Sequence, residues 1–507
     1  MPERFRLLFA LCIVIGLTGC GSKQPSPQTV TMLIESSPTS LDPRIGVDAQ
    51  SEHIGSLIFD SLVHKNQHFN LEPWLATSWD TPDPVTYRFH LRPDVRFQNG
   101  KPLTSADVKY TLDSMRNGTV ITAKAGALAR IDRVDAPDVA TVVIHLKQPD
   151  AALLWNLSDG AIGIVPVGSG RDFAFHPIGS GPFRFVSQLQ DDEVILERNE
   201  DSWQPRPAIA RIRFAVVPDA ITRALELEKG SADVCINCMT ADMVSALAKR
   251  PNLQVEDGPG TNLNYITFNA QDSVLRDVRV RQAIACAMNR PLIIQSLWRG
   301  RARLAESLLP PQHWAWTGDV QQYPFDPAKA NALLDAGGWK RGKDGVRFHL
   351  AMKTSTDETS RLLAMILQQQ LREVGIALEV RSFEFATFFS DISKGAFQMY
   401  TLRWLGQEDP DTFRYAYDSH MFPPHGANRG RYTNAALDAL IREAGTSGDQ
   451  AQRRTDYVKV QQILAEDLPS INLWYLDAVL VHTKRLGNIR LSSSGNFDFL
   501  RTATVTQ

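Results

Sequence analysis

The chain has 507 residues, of which 43% are hydrophobic and 22% are charged, and its formal net charge at pH 7 is -2. This is the composition of a globular protein that is longer than one hydrophobic core usually organises, so two or more sub-domains are expected. The balanced charge argues against a nucleic-acid partner, because surfaces that bind nucleic acids carry an excess of Lys and Arg.

The N-terminal residues predict an exported protein. Two arginines precede an apolar run from Leu7 to Leu17, which is too short to span a bilayer comfortably and is typical of a secretory signal peptide at residues 1–19. The boundary has the sequence LTGC and resembles the bacterial lipobox, so Cys20 is expected to be lipidated and to anchor the protein at the periplasmic or extracellular face of a membrane. The alternative is an ordinary signal peptide with an incidental cysteine. Residues 20–28 are small, polar and proline-containing, which predicts a lipidated tether.

Two further cysteines, Cys235 and Cys238, are separated by two residues. A zinc ion needs about four ligands, and no second cysteine pair or nearby histidine cluster supplies the rest. A disulfide between Cys235 and Cys238 is therefore one interpretation, and neither a metal site nor a cofactor is expected.

Helix and strand patterns alternate through most of the sequence, which predicts an α/β architecture. A capping box at Thr104 and Asp107 begins an amphipathic helix that extends to Gly118. The patterns that follow predict, in chain order, a helix that begins near Asp277 and is closed or kinked by Pro291, a helix from Asp326 to Gly337, a helix ending at Gly375 with a strand from Ile376 to Val380, a buried strand from Phe397 to Trp404, a helix that ends before Pro469, and a strand from Ile471 to Val481.

Several blocks of sequence, spread over the chain after the signal peptide, resemble one protein family. The blocks are SLDP at 40–43, FDSLV at 59–63, LATSW at 75–79, a long block from Tyr87 to Thr111, GSGPF at 179–183, VRQAI at 280–284 and DPD at 409–411. They resemble the bacterial extracellular solute-binding proteins that include the dipeptide- and oligopeptide-binding receptors of ABC importers.

This resemblance implies an α/β fold of the two-lobed type II periplasmic-binding-protein kind, with an extra sub-domain inserted in the first lobe, and a monomeric protein. The implied boundaries are 29–45, 177–268 and 478–507 for lobe I, 46–176 for the inserted sub-domain and 269–477 for lobe II. Two crossing strands, near Asn264–Phe268 and Ala478–Val481, would form the hinge.

The segment from Arg403 to Asp411 is the main candidate for ligand contact, because a predicted strand there enters an acidic loop marked by proline. In the peptide-binding relatives this strand end lies along the ligand, so its main chain could pair with an extended peptide. The candidate ligand-binding residues are Thr39, Arg403, Trp404, Leu405, Gly406, Gln407, Glu408, Asp409 and Arg429.

Several of these positions have alternative interpretations. The peptide-binding relatives place an aspartate for the ligand ammonium where this chain has Gln407, whose neutral amide forms no ion pair, so recognition of a free α-amino group is expected to be weakened. Glu408 or Asp409 could substitute if the loop is shifted by one residue. Trp404 is either a core residue or a platform in the cleft, and alternation along the strand would direct Arg403 to the opposite face. Arg429 is a second candidate for a ligand carboxylate, with a solvated loop residue as its alternative.

The resemblance implies a receptor that captures an oligopeptide-like ligand by hinge closure and delivers it to the permease subunits of an ABC importer. The glycines at 179 and 181 suit a turn and lack the other features of a phosphate loop, and Ser180 lacks the pattern of a nucleophile elbow, so no catalysis is expected. The alternatives are an exported lipoprotein hydrolase and a sensory adaptor. Within the receptor class, the alternative ligands are a nickel chelate, haem or an oligosaccharide.

Overall fold

The structure is a computed structural model that describes residues 28–66, 68–158, 162–406 and 408–506. The predicted signal peptide, Cys20 and Gln407 lie outside the described residues. The strands are β1 (Thr29–Ile34), β2 (Val63–Lys65), β3 (Leu71–Pro73), β4 (Ala76–Asp83), β5 (Thr86–Leu91), β6 (Ile131–Asp138), β7 (Thr141–Leu146), β8 (Phe183–Leu189), β9 (Glu193–Arg198), β10 (Arg211–Val216), β11 (Val234–Ile236), β12 (Leu253–Phe268), β13 (Ala302–Leu304), β14 (Phe348–Ser355), β15 (Ile376–Phe383), β16 (Met399–Trp404), β17 (Ser470–Thr483), β18 (Leu486–Gly487) and β19 (Thr504–Val505).

Helices lie between most of these strands. They are α1 (Ala49–Ile58), α2 (Ser105–Arg116), α3 (Leu153–Asn156), α4 (Ala220–Lys229), α5 (Ala241–Leu247), α6 (Val278–Ala287), α7 (Arg290–Trp298), α8 (Pro327–Ala336), α9 (Glu358–Glu373), α10 (Phe385–Lys394), α11 (Thr412–Tyr417), α12 (Ala435–Thr446), α13 (Gln450–Asp467) and α14 (Phe499–Thr502). In the described part of the chain, none of them combines the length and the apolar composition needed to cross a bilayer.

One continuous sheet runs through both lobes. Its strand order is β15-β14-β16-β12-β17-β11-β1-β10-β9-β8, and β13 pairs with β17. The two longest strands, β12 and β17, run antiparallel from the pair Leu253 and Thr483 to the pair Thr267 and Ser470. The lobes are therefore joined by two strands that belong to both.

The pairing of β12 with β17 is interrupted at the crossing between the lobes. The register shifts between Gly258 and Asn262, and a Cβ atom at Gly260 would overlap the main-chain oxygen of Leu476 on the facing strand. The two segments expected to form the hinge lie on these strands but do not face each other: residues 478–481 pair with 255–258, whereas residues 264–267 pair with 470–474.

The inserted sub-domain has its own sheet and its own core. The sheet has the antiparallel order β4-β5-β7-β6, and its apolar core is built from residues between Leu62 and Ile164. Helix α1, which the predicted boundary assigned to this sub-domain, instead packs Ile54, Leu57 and Ile58 into the core of the first lobe.

Buried Asp60, from the FDSLV block, joins the inserted sub-domain to the first lobe. Its two carboxylate oxygens accept hydrogen bonds from Trp74 Nε1 at 2.9 Å, Ser180 Oγ at 2.8 Å, Trp203 Nε1 at 2.9 Å and Gln204 Nε2 at 2.6 Å. Four donors around one buried carboxylate satisfy both oxygens, so the block has a structural role in this chain.

The GSGPF block is a turn pressed against α1. A Cβ atom at Gly179 or Gly181 would overlap the main chain around Ile58, and Gly181 N–H donates to the Ile58 oxygen at 2.8 Å. The close approach of this turn to the main chain of α1 therefore requires glycine at both positions, which agrees with the interpretation of the pair as a turn.

Most of the predicted helices and strands are present with bounds within a few residues of the expectation. The capping box at Thr104 and Asp107 is formed, and Asp277 caps α6. The prediction for Pro291 was wrong: α6 ends at Ala287, and Pro291 lies in the first turn of a separate helix, α7, whose N-cap is Asn289. Proline is favoured there because the first turn leaves its N–H positions unpaired.

Candidate ligand-binding cleft

A deep cleft with a volume of about 1160 Å³ lies between the two halves of the molecule. One wall comes from the first lobe and its insert: the end of β1, the N-terminal half of α1, the β2–β3 hairpin, residues 236–238 and the loop at 490–498. The facing wall is formed by Asn262, Leu405, Gly406, Glu408, Asp409 and Thr412. A ligand held in this cleft would contact both lobes.

Strand β16 brings its C-terminal end to this cleft with one edge partly free. It pairs with β12 along its whole length, whereas β14 pairs with it only at Met399 and Tyr400. Among the described strands, residues 401–404 therefore have no partner on the β14 side. Gly406 follows with φ of 57°, and its N–H donates to Asn262 Oδ1 at 2.9 Å. An extended ligand could pair with main-chain groups on such an edge.

Glu408 connects the two walls of the cleft. Its Oε2 lies 2.9 Å from Nζ of Lys65, which belongs to the β2–β3 hairpin on the opposite wall. Its main-chain oxygen lies 3.0 Å from His313 Nε2, and the His313 ring stacks on Phe69 in the same hairpin, with ring centroids 5.6 Å apart. Burial lowers the pKa of His313 to about 3, so its ring is neutral at physiological pH. The hairpin and the second lobe thus hold each other through one ion pair and one ring stack.

Asp409, the next residue, has no ion-pair partner within the described chain. Its Oδ1 accepts a hydrogen bond from Asp411 N–H at 2.9 Å. Burial, reinforced by the nearby negative charge of Asp411, raises the pKa of Asp409 to about 7. The cleft therefore contains a carboxyl group that would gain from a ligand cation.

Three other carboxylates of the cleft have cations beside them. The pairs are Glu35 with Arg223 at 3.4 Å, Glu52 with Lys124 at 3.7 Å, and Asp498 with Arg501 at 2.9 Å. His53 also lines the cleft, and burial lowers its pKa to about 4, so it adds no positive charge near neutral pH. Local cations therefore balance these three carboxylates, in contrast to Asp409.

The predicted site residues divide into those in the cleft and those outside it. Leu405, Gly406, Glu408 and Asp409 line the cleft. Thr39 does not line it: its main-chain N–H donates to Asp48 Oδ2 at 3.2 Å, its hydroxyl donates to the same oxygen, and Asp48 caps α1.

The side chains of Arg403 and Trp404 also lie outside the cleft lining. The Trp404 ring stacks on Tyr265 with centroids 5.6 Å apart and packs into the core of the second lobe, which corresponds to the core interpretation and not to the platform. Arg403 faces away from it and lies 6.0 Å from the ring centroid of Trp298. Arg403 and Trp404 therefore contribute only their main chains, which are part of the unpaired edge of β16.

Arg429 is buried, so its interpretation as a solvated loop residue was wrong. Its guanidinium lies over the ring of Phe389, 4.8 Å from the centroid, and this contact with α10 removes it from solvent.

Cys235 and Cys238 form a disulfide in the structure, with Cα atoms 6.2 Å apart. Cys238 borders the cleft, and its main-chain oxygen accepts hydrogen bonds from Arg223. Within the ranges that the structure describes, no group of three or more His, Cys, Asp or Glu side chains is arranged to hold a metal ion.

Sequence reasoning missed the first-lobe wall of the cleft. Lys65 and Phe69 follow directly after the FDSLV block, but no local pattern marks a hairpin that reaches across a cleft. The loop from Arg490 to Asp498 is rich in serine, a signal typical of any surface loop. Only the sheet order, which returns β17 to the first lobe, places that loop beside β1.

Comparison with known proteins gives the family. The sequence profile of the bacterial extracellular solute-binding proteins, family 5, middle region, matches residues 70–421. The chain belongs to this family. A di/tripeptide-binding protein of Pseudomonas aeruginosa is 28% identical to this family 5 protein over 495 residues, which cover 91% of each chain.

Solved structures agree on the fold of this family 5 protein. NikA from Brucella suis, in complex with Fe(III)-EDTA, has a TM-score of 0.85 at 26% identity and covers 94% of this chain and 100% of its own. DppA from Helicobacter pylori, in complex with peptide STSA, has a TM-score of 0.75 at 25% identity and covers 94% of this chain and 98% of its own. The predicted α/β fold, two-lobed and of type II with an extra sub-domain in the first lobe, is confirmed.

Proposed function

We propose that this family 5 protein is the receptor of an ABC importer and that it captures short peptides between its lobes. The similarity to a di/tripeptide-binding protein and to a receptor in complex with a peptide supports the peptide class. The similarity to NikA in complex with a metal chelate keeps a chelate as the second candidate. The absence of a His or Cys cluster from the described residues disfavours direct capture of a metal.

The observation that carries the peptide proposal is the free edge of β16 next to Asp409. An extended peptide would pair with the main chain of residues 401–404 and 406, which gives affinity without selecting side chains. Its α-ammonium would pair with Asp409, whose carboxyl has no cation of its own, whereas Glu408 is already bound by Lys65. Gln407 would supply hydrogen bonds from a neutral amide in place of an ion pair.

Capture proceeds by differential affinity. A ligand that contacts β16 in one lobe and the β1 and α1 wall in the other binds the closed form more tightly than the open form, and it shifts the population toward closure. The two strands at the crossing, β12 and β17, would bend to allow this motion. The permease subunits then recognise the closed form, and the protein performs no catalysis.

A lipid on Cys20 would hold the receptor beside its permease. Two or more acyl chains anchor a protein stably, because each buried methylene contributes about 0.8 kcal/mol. Replacement Cys20→Ala is expected to release the protein into the soluble fraction, whereas a variant that remains on membranes after a high-salt wash would refute the anchor.

The test of ligand class is calorimetric titration of the purified mature protein with alanine di-, tri- and tetrapeptides, their N-acetylated forms, an oligosaccharide and a nickel-histidine chelate. Free peptides should bind, and N-acetylation should weaken binding about tenfold or more, because charge-assisted bonds are roughly twice as strong as neutral ones. Asp409→Asn should remove that difference. Glu72→Gln is the matched control, since Glu72 lines the same cleft and accepts a hydrogen bond from Asn66 Nδ2.

The outcomes separate the alternatives. Binding of only the sugar or the chelate would refute the peptide assignment. Equal binding of free and N-acetylated peptides would retain the peptide class and refute the role of Asp409.

A further inference from the structure

The Cys235–Cys238 disulfide lies where the first lobe meets a strand that joins the two lobes. Strand β11 contains Cys235 and runs antiparallel to β17, with Cys235 paired to Val481. On its other edge, β17 pairs residues 478–481 with residues 255–258 of β12, next to the crossing between the lobes. The disulfide therefore closes a loop directly against a strand that must bend when the lobes move.

Asn237, one of the two residues that the disulfide encloses, is bonded to this strand twice. Its main-chain N–H donates to the main-chain oxygen of Val479 at 2.8 Å, and its Oδ1 accepts from the Val479 N–H at 2.8 Å. Asn237 has a φ of 52°, a left-handed conformation that few residues other than glycine adopt. A covalent ring limits the conformations open to the residues inside it, so the disulfide favours the one in which Asn237 reaches Val479.

The same segment lines the cleft and contacts the second lobe. Residues 236–238 form part of the first-lobe wall of the cleft. Helix α5 begins three residues after Cys238, and two of its side chains meet arginines that follow α7 in the second lobe. Asp242 Oδ1 accepts from Arg299 Nε at 2.7 Å, and Ser245 Oγ accepts from Arg301 Nη1 at 3.2 Å. The disulfide thus adjoins the cleft wall, a crossing strand and a contact between the lobes.

The surroundings of the two sulfur atoms suit both the disulfide and the reduced pair. Cys235 is fully buried, whereas Cys238 borders the cleft and is 6% exposed, so a reductant that enters the cleft meets Cys238 first. Sγ of Cys235 lies 3.4 Å from the main-chain oxygen of Leu33. The buried thiol that reduction would create therefore has an acceptor for its proton already in place.

We propose that this disulfide is a redox switch of ligand capture, operated by a dithiol reductant. A thiolate of the reductant attacks Sγ of Cys238, the S–S bond breaks, and Sγ of Cys235 takes the electron pair and a proton. The second thiol of the reductant then attacks the mixed disulfide, which releases the reductant as a cyclic disulfide and Cys238 as a thiol. Two electrons and two protons pass to the protein, and exchange with an oxidised dithiol reverses the reaction.

The two forms differ in how firmly the segment is held. In the oxidised form, the ring keeps Asn237 against Val479 and fixes residues 236–238 as a wall of the cleft. Reduction removes this restraint, so the wall and the contacts of α5 with the second lobe loosen, and the closed form loses affinity for its ligand. That the ligand is a peptide rests on the proposed function, whereas the restraint on the crossing strand does not.

The first experiment titrates trialanine calorimetrically into the purified mature protein before and after treatment with dithiothreitol. It uses the Cys286→Ala background, which removes the free cysteine of the described chain. Reduction should let iodoacetamide label both Cys235 and Cys238 and should weaken binding about tenfold, because two hydrogen bonds that brace the wall are lost. Reoxidation should restore the affinity.

The double variant Cys235→Ala/Cys238→Ala should bind trialanine as weakly as the reduced protein and should not respond to dithiothreitol. Chemical reduction needs no substitution at the pair, so it decides between the outcomes if the double variant does not fold.

The second experiment follows hydrogen exchange without a ligand. The amides of Asn237 and Val479 should exchange faster after reduction, whereas those of the inserted sub-domain should not change. If trialanine binds neither form, this local effect together with expansion of the reduced protein in small-angle scattering supports the switch and refutes the peptide function. The switch is refuted if dithiothreitol leaves the disulfide closed, if both forms bind trialanine equally, or if reduction accelerates exchange throughout the chain, as expected of a disulfide that only stabilises the fold.

Discussion

Lowering the pH should weaken peptide binding through Asp409. Burial and the charge of Asp411 raise the pKa of this carboxyl to about 7 in the ligand-free protein. Pairing with an ammonium requires the ionised form, so the apparent affinity follows the ionised fraction. That fraction is about one half at pH 7 and about one hundredth at pH 5, which predicts a loss of roughly 50-fold, or about 2.3 kcal/mol.

Two histidines, one in the cleft and one beside it, do not titrate in this window. Burial lowers the pKa of His53 to about 4 and that of His313 to about 3, so both rings stay neutral between pH 5 and 8. The ligand ammonium begins to lose its own proton near pH 8, so the affinity should be highest between about pH 7 and 8.

The assay is calorimetric titration of trialanine at pH 5, 6, 7 and 8, with Asp409→Asn as the reference for all other pH effects. The variant should bind at pH 7 about as weakly as the wild type binds at pH 5 and should show a nearly flat profile. A wild-type profile that is equally flat, or a variant that keeps the 50-fold change, would refute the reasoning. The free energy of unfolding of the ligand-free protein should change with pH in the opposite direction. The raised pKa of the Asp409 carboxyl stabilises the ligand-free fold at low pH, and this contribution is lost as the pH rises through about 7. Asp409→Asn should therefore be more stable than the unliganded wild type at pH 8.

Three further predictions concern the scaffold. Asp60→Ala leaves four donors without their acceptor and should lower the free energy of unfolding in urea by about 3–5 kcal/mol. Gly260→Ala places a methyl group against the facing strand at the crossing, so it should lower the free energy of unfolding by about 1–3 kcal/mol and reduce ligand-induced compaction in small-angle scattering. Gly126→Ala, which has open space around it, should change neither quantity. A double-mutant cycle of Lys65→Met and Glu408→Gln should give a coupling of about 1 kcal/mol in thermal unfolding, and each single variant should expand the unliganded protein; additivity would show that the ion pair does not hold the lobes together.

Local sequence signals predicted the elements well because their causes are local. The helix begun by Thr104 and the one capped by Asp326 are set by side chains within four residues of the cap, and both are formed. The failure at Pro291 has a local cause as well, since a proline that ends one helix suits the first turn of the next equally well.

The site was less predictable because its walls come from distant parts of the chain. Of the eight expected residues that the structure describes, four line the cleft, all of them in the loop that follows β16. Alternation along β16 correctly separated Arg403 from Trp404, but it could not tell that neither side chain lines the cleft. The pairing of Lys65 with Glu408 joins residues 343 positions apart, a distance over which no sequence pattern operates.

The return of the chain to the first lobe has a consequence for the order of folding. The core of that lobe contains Val30 and Met32 from the first described strand together with Leu480, Leu486 and Leu500 from the final part of the chain. Contacts between such distant residues form slowly, because a loop of more than four hundred residues must close first. The first lobe therefore begins with the strand that is synthesised and translocated earliest, but its core is completed last. The second lobe and the inserted sub-domain can fold ahead of it. The core of the first lobe closes only when the last strand has arrived on the same side of the membrane.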